Sequence, residues 1–140
     1  MQRKGSAVWK GGLKDGNGQV STGSGGLSAA PYTFASRFES GGKTDPEELI
    51  AAAHAACFSM ALSGQIGAAN LKADSIATTA TVTMEKTDAG MTVTASHLAV
   101  KAKVPGADRA AFEKAANNAK AGCPISRLLN AKITMDATRE

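Results

Sequence analysis

Cys57 and Cys123 are the residues whose type and setting most plainly permit chemistry: Cys57 lies in the uncharged stretch Leu49–Leu71, and Cys123 stands between Gly122 and Pro124. Two thiols in one chain can cycle between dithiol and disulfide and so carry two electrons, which would make the chain a thiol redox enzyme. Free cysteine is also among the most buried residue types, and Cys57 is surrounded by alanines, so simple packing is the competing account. Reactivity requires the thiolate. Cys123 has a local source of stabilisation: if Pro124 takes the first helical position, Cys123 is the N-cap, where backbone N–H groups and the helix dipole favour an anion. Cys57, several turns into its own helix, has none and needs a cation from elsewhere. His54 precedes it by three residues on the same helix face, and is either its base or a packed, hydrogen-bonded side chain.

The elements that must hold these residues can be read along the chain. Ser6–Lys10 has strand character, Asp15-Gly16-Asn17-Gly18 carries two hairpin signals, and Gln19–Thr22 and Tyr32–Phe38 supply two further strands of a small antiparallel meander. Thr44-Asp45-Pro46-Glu47-Glu48 opens a long helix. Two registers compete there: Asp45 as N-cap with Glu48 as its partner, which leaves Glu47 free, or Thr44 as cap with Glu47 spent on it. Ile76, Thr78, Ala80, Val82 and Met84 alternate along a strand that turns at Thr87-Asp88-Ala89-Gly90 into another. In this second strand the apolar phase shifts between Ala95 and Leu98, which predicts a bulge near Ser96-His97. Pro105–Asp108 breaks the sheet. A helix over Arg109–Ala121, with Ala111, Phe112, Ala115, Ala116 and Ala119 inward, ends at Gly122; a short helix from Pro124 to about Asn130 and a strand Lys132–Thr138 follow. The class is α+β, in a single domain over residues 1–140.

Composition narrows the functions. The 140 residues are 43% hydrophobic but only 4% aromatic, so the core is alanine and aliphatic, thin enough to suggest burial against a second subunit. The net charge of +4 comes from scattered basic residues without a stripe or interleaved aromatics, so no nucleic-acid partner is expected. Leu49–Leu71 has the length of a bilayer span, yet His54, Gln65, Asn70, its glycine and serine breaks and its many alanines read better as a buried helix than as a membrane anchor. The start, Met1-Gln-Arg-Lys, runs into Gly5-Ser-Ala-Val-Trp-Lys rather than an apolar segment, which argues against a signal peptide and for a cytoplasmic chain with reduced thiols. There is no Cys/His metal spacing and no phosphate loop, so neither metal nor cofactor is expected.

The run from Thr44 through Leu62, containing Glu47-Glu48-Leu49-Ile50-Ala51-Ala52-Ala53-His54-Ala55-Ala56-Cys57, followed downstream by Ala121-Gly122-Cys123-Pro124-Ile125-Ser126, resembles the OsmC/Ohr family of thiol-dependent hydroperoxide reductases. The resemblance also takes in Gly42–Lys43 and Pro31–Glu39 and extends essentially end to end. It implies antiparallel sheets enclosing long central helices in an intertwined homodimer, with two active sites at the interface. It assigns the peroxidatic cysteine to Cys57, the resolving cysteine to Cys123, and the arginine and glutamate that poise the thiolate to Arg37 and Glu47. The segment Trp9–Gly16 has no arginine whereas Ser36-Arg37-Phe38-Glu39 carries one, which is similar to the OsmC branch rather than the organic hydroperoxide resistance branch.

The implied substrate is an organic hydroperoxide and the implied reductant an external dithiol, in the family often a lipoyl group. Cys57 thiolate would attack the distal peroxide oxygen, releasing an alcohol and leaving a sulfenic acid, and Cys123 would close a disulfide. Arg37 would acidify the thiol and orient the peroxide while Glu47 holds the guanidinium. Because ten residues of helix rise about 15 Å, Glu47 and Cys57 of one helix do not readily act on the same peroxide, and the expectation is that Glu47 and Arg37 serve Cys57 of the other subunit. A non-enzymatic thiol redox sensor or interaction protein is the reading from another class.

Overall fold

The structure, a computed structural model, describes residues 1–39 and 42–140. It comprises two compact units, Met1–Leu49 and Ile50–Glu140.

In the first unit, strands β1 (Gly5–Lys10), β2 (Asn17–Thr22) and β3 (Ala30–Tyr32) form an antiparallel sheet in that order. The register places Gly18 between Trp9 and Tyr32, whose rings lie 5.4 Å apart. A side chain on Gly18 would run into both rings, so only glycine lets them close over the strand.

The expected strand Tyr32–Phe38 is corrected: β3 stops at Tyr32 and helix α1 covers Phe34–Phe38. A capping box starts it. The Ser36 N–H donates to Thr33 Oγ1 at 3.1 Å and the Thr33 N–H donates back to Ser36 Oγ at 2.9 Å. Tyr32, Phe34 and Phe38 mimic strand alternation, but Phe34 and Phe38 are also four apart, and their rings pack at 4.8 Å on one helix face.

Helix α2 spans Pro46–Ala68. The Glu48 N–H donates to Asp45 Oδ1 at 2.9 Å, which selects Asp45 as the cap and puts Pro46 at the first position. Glu47 is thereby released from capping. Among described helices α2 alone is long and apolar enough to cross a bilayer by length and composition. Its buried residues, His54, Phe58, Leu62 and Ile66, fall three or four apart on one stripe, as in a core helix.

In the second unit β4 (Ser75–Thr87) and β5 (Gly90–Lys103) make a long antiparallel hairpin. Gly90, at φ 109°, takes the left-handed turn that a side chain would resist. The inward set on β4 is Ile76, Thr78, Ala80, Val82 and Met84, as the alternation predicts. The bulge falls earlier than expected: Thr83 pairs with Ala95 and Met84 with Val93, leaving Thr94 as the extra residue. Ser96 had looked out of phase because it is polar, but it is on the core face with Leu98, Val100 and Ala102.

Helix α3 (Arg109–Gly122), capped by Asp108, buries Phe112, Ala115, Ala116 and Ala119; Ala111 is only half-buried. Helix α4 (Pro124–Leu128) follows, and β6 (Lys132–Arg139) closes the sheet β4-β5-β6. β6 runs parallel to β5, so this sheet is mixed rather than antiparallel throughout. The two-helix crossover between them returns the chain to the end of the sheet from which β5 started, as parallel pairing requires. The core of this unit joins Phe58, Leu62 and Ile66 of α2 to Leu98, Val100 and Ala102 of β5 and to the inner face of α3.

Candidate active site

The first unit builds an ion pair. Arg37 occupies the last turn of α1, and the buried Ser36 hydroxyl donates to the Thr44 carbonyl at 2.9 Å, tying α1 to the chain that enters α2. Glu47, free of the cap, faces the guanidinium. Arg37 Nη2 donates to Glu47 Oε1 at 2.7 Å, and Nε reaches Oε1 and Oε2 at 3.2 and 3.1 Å, a fork that only arginine can offer.

Burial alone would raise the Glu47 carboxyl, but the hydrogen bonds and charge of Arg37 outweigh it and hold the group below the usual carboxylate range. Glu47 in turn raises Arg37 through its hydrogen bonds. The Arg37 side chain stays 38% exposed, against 14% for Glu47, so the cation keeps an open edge for a third party. Its guanidinium carbon also sits 5.1 Å from the Phe38 ring centroid. Beside it opens an apolar cavity of about 240 Å³ lined by Trp9, Leu13, Tyr32, Phe34, Arg37 and Phe38.

The second unit brings the thiols together. Cys57, half-buried on α2, and Cys123, fully buried between α3 and α4, have their Sγ atoms 2.7 Å apart, Cys123 donating. Both are free thiols. Burial pushes the Cys57 thiol up and Cys123 adds to the rise, while the Ile125 backbone N–H pulls it down. At the start of α4 Cys123 makes no side-chain capping bond, and the N–H of Ile125, inside α4, acts on Cys57.

His54 is not placed as a base. It is wholly buried, with Nδ1 2.7 Å from Ser96 Oγ and Nε2 2.7 Å from Ser126 Oγ, so both ring nitrogens are engaged; burial holds its pKa below the ordinary histidine value. This is the packed, hydrogen-bonded histidine of the two alternatives. Among the described residues no cluster of His, Cys, Asp and Glu is arranged to hold a metal.

Sequence reasoning missed three features. The Ser96 contact was hidden as an apparent phase error. The Thr33–Ser36 spacing was a capping signal, with serine in the place usually taken by Glu or Gln. The aromatic cavity beside Arg37 depends on cross-strand register and could not be read from local pattern.

Residues 39–138 match the family model described as OsmC-like protein. The chain is 51% identical over 136 residues to the peroxiredoxin OsmC of Escherichia coli, covering 97% of this chain and 95% of that one, and it has the same identity and coverage with the peroxiredoxin OsmC of Shigella flexneri. Among solved structures it is similar to an organic hydroperoxide resistance protein OsmC from Legionella pneumophila, with TM-score 0.71 at 25% identity over 96% of each chain. OhrB of Bacillus subtilis shares the fold, with TM-score 0.71 at 22% identity over 96% of this chain and 98% of that one. The chain belongs to the OsmC family of thiol-dependent peroxidases.

Proposed function

We propose that the protein reduces organic hydroperoxides to alcohols with Cys57 as the peroxidatic and Cys123 as the resolving thiol. The observation that carries this is the 2.7 Å approach of the two sulfurs. Cys57 thiolate attacks the distal peroxide oxygen, the O–O bond breaks, and the alkoxide leaves as the alcohol once protonated. The sulfenic acid on Cys57 condenses with Cys123 to a disulfide and water, and an external dithiol, a lipoyl group being one such reductant, restores both thiols.

Within Ile50–Glu140 burial raises the Cys57 thiol, so the thiolate needs a cation. Arg37 is the residue we assign to that task, with Glu47 fixing the plane of its fork. Ten helical residues separate Glu47 from Cys57, a rise of about 15 Å, and we infer that the pair serves Cys57 of a second copy in a homodimer. The outer face of α2 supports this arrangement: Ala52, Ala53 and Ala56 are exposed and Met60 is 78% exposed on an apolar helix. A single working domain over residues 1–140 and a cytoplasmic setting with reducing partners belong to the same reading.

The aromatic cavity beside Arg37 favours alkyl or aryl hydroperoxides over hydrogen peroxide, which gains nothing from apolar contact. The test is the free-thiol titre of the reduced protein before and after one equivalent of cumene hydroperoxide, with C57S and C123S in parallel, then turnover driven by dihydrolipoamide. Loss of both thiols in the wild type, none in C57S, and sustained turnover support the cycle. Inert thiols in the wild type return Cys57 to a packing role.

A further inference from the structure

The sulfur contact is not the only link between α2 and α4. His54 stands three residues before Cys57 on α2, and Ser126 stands three residues after Cys123 on α4. His54 Nε2 meets Ser126 Oγ at 2.7 Å where Cys57 Sγ meets Cys123 Sγ at 2.7 Å, so two rungs with the same spacing join the two helices.

Little else fixes α4. It has five residues, none of them buried, and its N-cap makes no side-chain hydrogen bond. Among the described residues, Ser126 is the one side chain of α4 that hydrogen-bonds another element, beside the Ile125 backbone N–H that acts on Cys57. The other end of the imidazole is fixed independently, by Ser96 on β5 at 2.7 Å. A neutral imidazole has one N–H and one lone pair, and two hydroxyls saturate both whichever tautomer is present. His54 is therefore a rigid post between the sheet and α4.

We propose that the His54–Ser126 bond is a positioning device that holds α4 in register, keeping the Cys123 thiol on Cys57 while the disulfide closes. This rests on the peroxidase cycle above. In the closing step the Cys123 sulfur attacks the sulfenic sulfur of Cys57; the S–S bond forms, the S–O bond breaks, and the hydroxyl departs as water with the thiol proton. Disulfide closure tolerates little displacement, since the two Cβ atoms must come within about 4.5 Å, and a slip of α4 by one residue moves Cys123 by about 1.5 Å. The competing fate of the sulfenic acid is a second peroxide, which gives the sulfinic acid.

The experiment mixes reduced full-length wild type, S126A, S126T and S96A with cumene hydroperoxide in a rapid-quench apparatus, and follows thiol loss at Cys57 and disulfide formation separately by mass. In S126A disulfide closure slows by about tenfold, the effect of losing one buried hydrogen bond fully expressed in register, and excess peroxide leaves more sulfinic acid at Cys57. S126T restores closure. S96A frees the far end of the imidazole but keeps the Ser126 bond, so it lowers the melting temperature and slows closure less than S126A does, which a merely structural role for the network would not separate. Comparison of S126T with S126V isolates the hydroxyl at equal volume should S126A fold poorly. Closure in S126A at the wild-type rate, or equal slowing in S96A, overturns the proposal. A wild type that loses the Cys57 thiol without forming a disulfide overturns the cycle and the clasp together, an outcome distinct from the first.

Discussion

A hybrid dimer carrying Arg37→Ala in one subunit and Cys57→Ser in the other separates the two ways in which Arg37 could serve Cys57. If the arginine acts across the interface, the subunit that retains Cys57 faces the subunit that retains Arg37, and one of the two sites is complete. If it acts within its own chain, neither site is complete. The physics gives the contrast its size. Across about 15 Å of water-like medium two unit charges interact by roughly 0.3 kcal/mol, and screening beyond a Debye length of about 8 Å reduces this further. That would move a thiol pKa by no more than about 0.2. At about 4 Å and an effective dielectric near 20 the same charges interact by roughly 4 kcal/mol, or about three pKa units, in the direction that opposes the upward push of burial on Cys57.

Differently tagged subunits purified through both tags yield the hybrid alone. Its turnover of cumene hydroperoxide should reach about half that of wild type per dimer, since one of two equivalent sites is intact, with each homodimeric variant far lower. The rate of Cys57 alkylation against pH, measured on the same preparations, should show a thiol in the hybrid as acidic as in wild type and a less acidic one in the R37A homodimer. A hybrid no more active than the R37A homodimer would falsify the trans assignment.

Glu47→Gln replaces a charge-assisted fork with a neutral amide, a loss on the order of 1–3 kcal/mol in the hydrogen bonds that orient Arg37; kcat/KM for cumene hydroperoxide should fall by about tenfold or more, checked by steady-state assay. Because Arg37 holds the folded Glu47 carboxyl below its unfolded value, the pair contributes stability above the ordinary carboxylate pKa that is lost as pH falls through the lowered one; melting temperatures against pH should show this slope in wild type and a weaker one in R37A, where burial is opposed only by the remaining backbone and Asp45 hydrogen bonds. Phe34→Ala removes one wall of the aromatic cavity and should raise KM for cumene hydroperoxide by about tenfold, in line with 1.5–3 kcal/mol for a large apolar side chain, while leaving hydrogen peroxide kinetics near wild type. Substoichiometric alkylation at low pH should label Cys57 before the fully buried Cys123; preferential labelling of Cys123 contradicts the assignment of roles.

Periodicity was a sound guide wherever one face of an element met one environment. β4, with a core side and an open side, keeps its alternation from Ile76 to Met84, and α3 turns its alanines and Phe112 inward as its spacing predicts. It failed where the same residues satisfy two periods or where a polar residue belongs to the core. Tyr32, Phe34 and Phe38 fit a strand and a helix alike, and the Thr33–Ser36 box decides for the helix. That decision matters for the site, because a strand through residue 37 would not have had Ser36 free to tie α1 to Thr44 beside Glu47. The parallel placement of β6 was beyond local pattern, since it depends on where a two-helix crossover returns the chain.

The two candidate clusters, the ion pair and the thiol pair, were legible to different depths. Asp45 and Glu48 settle the helix start by local geometry, and from that start it follows that Glu47 is available for Arg37. No local rule relates Cys57 to Cys123 across 66 positions; packing of α2 against the α3–α4 corner does. Local rules count the backbone donors at the start of α4 without knowing which acceptor approaches the Ile125 N–H. The acceptor is Cys57, arriving from α2 at the Ile125 N–H, while Cys123 is drawn beneath it into the core. A buried donor thiol beside a half-buried acceptor suits the roles we propose: a sulfur that meets peroxide needs an opening, and one that waits for a sulfenic acid is kept from peroxide by burial.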